Sequence, residues 1–380
     1  MHRRVNSSRP VGWLAALAVL AFTAAACGGD NKATSGAATT AASATTAAAV
    51  TTAGSSTGGS SATTAAATDT AAWDAIVAKA KQEGNVTIYS SQGLDVLNDL
   101  AAKFKDTYGI TLQVVRGIDS ELIPKVDAEN QTGKNVADVF AFASAQWGVD
   151  NAAKGMFVAP AGPAFDDPAY DKASNVSADG TQFVSTAAVF GYAWNTDRDS
   201  NGMKGYADAL DPALAGGKVG VIDVHTSTVL VDFYQYLETQ MGPDYLTKLA
   251  AQKPKIYPSG LPMAQALTSG EIAATVYAGP LVDEKAKGAP VDFGLPDKVW
   301  GARFNTVILK AAPHPNAAQV LANFMITKDG QEALARKSAS VLPGITGAVT
   351  TVDKVAKQDL TKLTPDVVAA YQAKWDSMFK

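Results

Sequence analysis

Asn85-Val86-Thr87-Ile88-Tyr89-Ser90 reads as a buried strand: four strand-favouring residues in a row, closed by the polar pair Ser91-Gln92. Downstream, Leu94, Leu97, Ala101, Phe104 and Tyr108 recur at helical spacing and stop at Gly109. Ile110 to Val115 is a second strand, Glu121 to Gln131 a second helix, and Ala137 to Ala143 a third strand. Upstream, a helix opens near Thr70, carries Trp73, Ile76, Val77 and Ala80, and ends at Gly84. Strand, helix, strand, helix, strand marks an open, mostly parallel sheet with helical crossovers. Ligands of such sheets sit beyond the carboxyl ends of the strands. That geometry makes Ser90, Ser91 and Gln92, and Ser144, Ala145 and Gln146, candidate site residues.

The alternation resumes further on. Gln182 to Asn195 reads as one or two strands, Lys218 to Asp223 as another, and Thr226 to Gln240 as a long helix. In that helix Val229, Leu230, Phe233, Tyr234 and Leu237 point inward. Ala273 to Tyr277 is a short strand, and the strand Ala302 to Lys310 leads into the helix Asn316 to Ile326. Two α/β units joined by extended segments predict two lobes facing a cleft.

The chain starts differently. Arg3, Arg4 and Arg9 precede an apolar run from Val11 to Ala26, and Cys27, the only cysteine in 380 residues, follows it. This is an export signal, and the run is shorter than the ~20 residues a spanning helix needs. A solitary thiol serves no internal disulfide, so residues 1–26 are read as a signal peptide and Cys27 as the lipidated first residue of the mature chain. Ala24-Ala25-Ala26 also fits ordinary secretion. Residues 28–70 are almost wholly Ala, Thr, Ser and Gly, cannot bury a core, and read with Cys27 as a disordered tether. A coil of that length spans roughly 35 Å. Without the signal the chain keeps 29 basic against 36 acidic residues, a charge of −7 that argues against nucleic acid or an anionic membrane as partner.

Val86-Thr-Ile-Tyr-Ser-Ser, Lys103-Phe-Lys-Asp-Thr-Tyr-Gly-Ile and Ala137-Asp-Val-Phe resemble the first lobe of family 1 extracellular solute-binding proteins, closest to the ferric-iron and phosphonate-type receptors. Ala193-Trp-Asn-Thr, Leu210-Asp-Pro-Ala-Leu-Ala-Gly-Gly-Lys-Val-Gly, Ser269-Gly-Glu-Ile-Ala-Ala, Ala312-Pro-His-Pro-Asn-Ala-Ala and Gly330-Gln-Glu-Ala-Leu extend the likeness, in order, over roughly Asn85 to Thr346. The resemblance implies a two-lobed α/β periplasmic-binding-protein-like fold of type II, two doubly wound sheets joined by extended crossovers. It implies lobe 1 at 71–188 and 300–345, lobe 2 at 189–299, and a helical segment at 346–380 packing on both. Ala188 to Asn195 and Phe304 to Ile308 would be the crossovers. It implies a monomeric, non-enzymatic receptor without cofactor, which closes on a small molecule and hands it to the permease of an ABC importer.

Ferric receptors of this type carry an adjacent tyrosine pair after Gly-Glu-Ile-Ala-Ala, whereas this chain has Ala274-Thr-Val-Tyr277-Ala-Gly-Pro280, and Gly93 stands where many have a histidine. The resemblance also places phosphate, phosphonate or carboxylate contacts at Asp223-Val-His225-Thr226-Ser227-Thr228, where a strand ends and a helix begins. Free amides and the positive helix end favour an anion there, and the hydroxyls equally suit plain helix capping. The body has only Arg116, Arg198, Arg303 and Arg336, and Val189-Phe190-Gly191 stands where a basic residue often precedes the crossover. A carboxylate or another polar organic solute therefore fits better than a doubly charged phosphonate. Tyr192, Trp194, Tyr277 and Trp147 lie near strand ends, as pocket walls or as packing; Ser259 precedes a helix and offers a hydroxyl and an amide. His225 reads as a wall residue or a cap. Asp197-Arg-Asp199-Ser-Asn201-Gly202 with Asp208 matches a calcium-loop spacing, with Asp in place of the final Glu, and reads as a solvated turn. A secreted hydrolase is the rival from another class: the mature histidines are His225 and His314, with no G-x-S-x-G or H-E-x-x-H.

Overall fold

The structure, a computed structural model, describes residues 61–380; the predicted signal peptide, Cys27 and most of the tether lie outside them. Helix α1 (Ser61–Glu83) opens inside the segment read as tether, not near Thr70; the alanines among its first residues favour a helix, although the threonines between them do not. Then come β1 (Asn85–Ser90), α2 (Leu94–Tyr108), β2 (Thr111–Arg116), α3 (Asp119–Thr132), β3 (Val139–Phe142), α4 (Ala145–Ala152) and β4 (Phe157–Val158). Helix α2 buries Val96, Leu97, Leu100 and Phe104, one stripe of its surface. It ends where Gly109 takes a left-handed φ of 73° and donates its amide to the Lys105 carbonyl.

After α5 (Lys172–Asn175), strand β5 (Gln182–Asn195) runs unbroken through the middle of the molecule. Next are β6 (Val219–Ile222), α6 (Thr228–Met241), α7 (Tyr245–Ala251), β7 (Lys255–Tyr257), α8 (Gly260–Ser269), β8 (Ala274–Ala278), α9 (Val282–Ala286) and β9 (Val291–Gly294). The chain returns through β10 (Trp300–Leu309), α10 (Pro315–Met325), α11 (Lys328–Leu334), β11 (Ala339–Ser340) and β12 (Thr350–Thr351), and ends in α12 (Pro365–Phe379).

Strand order is β2-β1-β3-β10-β5-β8-β6-β7. β1 runs parallel to β2 and β3, and β6 parallel to β7 and β8; β10 is antiparallel to both β3 and β5. β5 pairs with β10 through Phe190 and with β8 and β9 from Gly191 onward, so the strand passes from one half of the sheet to the other at that step. Phe304 to Ile308, expected to cross between halves, belongs to the first half instead, since Asn305 to Ile308 pair with β3. The part of β10 beside the junction is Trp300 to Arg303, separated from the rest by a register shift between Phe304 and Asn305.

Each half has its own core. In the first half Val86, Ile88, Val139 and Ala141 face one cluster, while Tyr89, Phe140, Phe142 and Val307 face another, the alternation of a sheet covered on both sides. In the second half Val219, Val221, Phe233, Leu237, Leu246, Val276 and Trp375 form a third cluster.

Candidate functional site

A cavity of about 290 Å³ opens where the two halves meet. Ala145 and Val149 of α4, Asn175 and Gln182, Val229 of α6, Trp300, Arg303 and Asn305 of β10, and Lys357 and Gln358 line it. The starts of α4 and α6 thus converge on one space. The first amides of a helix lack intrahelical acceptors and carry its positive end, so each start favours negative charge.

Local chemistry fixes these walls. Asp119 Oδ2 accepts from the amides of Ala143 (2.9 Å) and Ser144 (2.7 Å), pinning the turn into α4. Gly148 lets α4 approach β5, because a Cβ there would lie 2.2 Å from Gln182 Oε1. At α6, Ser227 Oγ accepts from the Val229 amide at 3.1 Å. The Trp300 indole donates to Asp232 Oδ2 at 2.8 Å and packs with Phe190, Phe233 and Tyr277. Burial holds the Asp232 carboxyl above the usual carboxylate range, against the opposing pull of the Trp300 hydrogen bond.

The charged lining groups are Arg303 and Lys357; no carboxylate, imidazole or phenol is among the residues lining this cavity. Arg303 Nη2 donates to the carbonyls of Val352 and Val355, both at 3.0 Å, and its Nε is buried with no partner among the described residues. Burial pushes the guanidinium below its ordinary value, with Asp353 opposing.

Of the residues singled out in the sequence, Ala145 lines the cavity, Ser227 caps α6 through its side chain, and Ser144 precedes α4 without a side-chain capping bond. Ser90 and Gln92 are buried and bonded to each other, and Gln92 Nε2 donates to Thr186 Oγ1 on β5 at 2.7 Å. Ser91 donates its amide to Ala141, and its Oγ is buried without a partner among the described residues. Tyr192 donates its hydroxyl to the Lys204 carbonyl and stacks with Trp194, so both rings pack the second half's core instead of walling this cavity. Trp147 is buried against Phe140 and Phe142, and its indole donates to Asp127.

His225 is exposed, paired with Asp223 at 2.7 Å and facing Asp376 at 3.5 Å. Thr226 Oγ1 donates to the Asp223 carbonyl, and both residues line a separate, open hollow of about 360 Å³ with Ile256, Tyr257 and Pro258. Ser259 is exposed at the start of α8. Tyr277 stacks on Phe190 at 4.5 Å and lines a smaller cavity of about 180 Å³ with Met263, Leu267 and Leu281. In the loop matching a calcium pattern, Asp208 Oδ2 accepts from the amides of Lys204 and Gly205, the cap of a single helical turn.

Sequence reasoning missed Gln182, Asn305 and Lys357. Arg303 stood in view, one of four body arginines on a correctly placed strand, and strand alternation from Asn305 would have put both on the cavity face. Lys357 lies in a stretch without helical or strand periodicity, so no local signal marks it.

The family model of bacterial extracellular solute-binding proteins matches residues 86–337. Among curated proteins, none matches the sequence. Among solved structures, iron-bound HitA from Pseudomonas aeruginosa is similar at 19% identity and a TM-score of 0.59, covering 77% of this chain and 99% of its own. AfuA from Actinobacillus pleuropneumoniae, with fructose-6-phosphate bound, is 22% identical with a TM-score of 0.55, covering 78% and 98%. The substrate-binding protein of an ABC transporter from Agrobacterium tumefaciens gives 15%, 0.63, 78% and 94%. The fold is that of type II periplasmic binding proteins. With a match that runs from β1 to Lys337 through both halves, the chain belongs to the bacterial extracellular solute-binding proteins.

Proposed function

We propose that the protein captures a small organic anion, a carboxylate by preference, between its two halves and delivers it to the permease of an ABC importer. The observation that carries this reading is the charge of the interhalf cavity: two cations and two helix starts, with no acidic lining residue. A volume of about 290 Å³ lies at the lower edge of ligand sites, which run from ~300 to ~1,000 Å³, so the solute has few non-hydrogen atoms. Ferric iron needs anionic oxygens or imidazoles, and this lining supplies neither. The halves serve as lobes, flexing where β5 passes Phe190–Gly191 and β10 passes Trp300–Arg303. Lipid on Cys27 holds the protein at the outer face of the cell membrane.

Calorimetric titration with lactate, pyruvate, malonate and succinate tests the site: at least one binds saturably without turnover, and ferric chloride does not. Saturable ferric binding with a visible charge-transfer band, and none by the carboxylates, would overturn the reading. Cys27→Ser is expected to move the protein from the membrane fraction to the soluble fraction; retention in the membrane would exclude the lipid anchor.

A further inference from the structure

The wall made by Lys357 and Gln358 belongs to neither sheet half. Residues 352–363 form a strap whose first part is rooted in the first half's core, through Val352 and Val355. Its far end packs on the second half's core through Ala356 and Leu363, and leads into α12, where Trp375 is fully buried. Val299 and Val355 form a bridge beside β10, with the Ala356 amide donating to Val299 at 2.8 Å and the Val299 amide to Lys354 at 3.0 Å. Gln235 of α6 donates to the Lys362 carbonyl at 3.3 Å. The strap is therefore a third connection between the halves, lying along the cavity.

The two lining cations are not equivalent. Arg303 spends Nη2 on two strap carbonyls, Val352 and Val355, which makes it the fastening of the strap. Lys357 is exposed and makes no ion pair within 4.0 Å among the described residues. The hydrogen bonds of Ser174 are the main cause that holds the Asp171 carboxyl below its ordinary value, with the charge of Lys357 the smallest contribution. Asp353 acts on Arg303, and Asp359 pairs with Lys362 at 3.7 Å.

We infer that Lys357, carried on the C-terminal strap, is the specificity-determining cation of the cavity, and that Arg303 is a positioning residue holding the strap that presents it. This rests on the anion reading above. A carboxylate bridging Lys357 and the starts of α4 and α6 ties the strap to both halves, so occupancy favours their closed arrangement.

The test measures, in the full mature protein, dissociation constants for lactate, pyruvate, malonate and succinate and for their neutral amides. Lys357→Gln is expected to weaken the bound carboxylate about 10- to 100-fold, to leave its amide within about twofold, and to leave the melting temperature unchanged. Lys357→Arg should restore carboxylate preference to within a few-fold. Arg303→Gln should lower the melting temperature and weaken carboxylate and amide alike. Carboxylate binding unchanged in Lys357→Gln overturns the inference alone. Preference lost in Arg303→Gln at full stability also overturns it, by making Arg303 the selecting charge. Absence of saturable binding of every carboxylate by the unaltered protein overturns the anion reading, and the inference with it.

Discussion

Asp138 shows how the role of a single residue can be invisible in the sequence. It is fully buried, and its carboxylate accepts from the Thr87 amide (2.7 Å), the His314 amide (2.7 Å) and His314 Nδ1 (3.0 Å). These partners lie 51 and 176 positions away, so nothing local announces them. Asp138→Ala strands those donors in the interior and is expected to cost about 3 kcal/mol or more in urea unfolding. Gly330 makes the complementary case. A Cβ there would sit 1.9 Å from the Phe324 carbonyl oxygen, so Gly330→Ala must displace backbone and is expected to cost about 2–4 kcal/mol by the same measurement. A cost under about 0.5 kcal/mol for either would show that the local backbone relaxes freely.

Among the elements, α6 and α12 are read differently from their sequences. The apolar spacing of Leu230, Phe233, Tyr234 and Leu237 predicted the buried face of α6 correctly. Val229, expected inward, does pack against that core while partly buried, and it also lines the cavity, because it sits in the first turn of a helix that starts at Thr228. Ser227 caps that turn, so Ser227→Ala is expected to cost about 1 kcal/mol. For the end of the chain the resemblance implied a helical segment over 346–380 packing on both lobes; α12 spans only Pro365–Phe379, and its Trp375 stacks on Phe379 at 4.4 Å and is fully buried among second-half residues. Ending the chain after Thr364 uncovers that patch. The truncated protein is expected to melt lower and to bind an apolar dye, whereas an unchanged melting curve would mean the helix adds nothing to the core.

At the scale of the whole molecule, an ion pair spans the halves. Lys337, following α11 with a left-handed φ of 62°, meets Asp283 of α9 at 2.6 Å. Lys337 and Arg336 also hold Asp95 and Asp99 of α2. Asp283→Asn is expected to raise the radius of gyration of the ligand-free protein in solution scattering, an effect that salt reproduces in the unaltered protein; identical scattering curves would exclude the pair as a brace. Alkaline pH acts on the fold through its tyrosines. Burial pushes Tyr236 up to about 12, and burial with a Glu271 hydrogen bond pushes Tyr257 up to about 12; Tyr234 and Tyr277 are raised further in the same direction. Between pH ~10 and ~12 the unfolded chain loses phenolic protons that the folded chain keeps, so stability falls as pH rises through that window. Melting temperature against pH checks the sign.

The sequence by itself determined the two α/β halves, the order of most strands and helices, and the likeness to solute receptors, because periodicity and turn residues act over a few positions. Tertiary structure alone decided the site. Strand-end residues such as Ser90, Gln92 and Tyr192 carry the polarity of a binding loop, yet their hydrogen bonds are consumed within their own half. The cavity takes its charge from Arg303 and from Lys357, 54 positions apart, which meet because the strap from Val352 onward is fastened across the junction. Packing between distant segments sets that encounter, and no spacing along the chain records it.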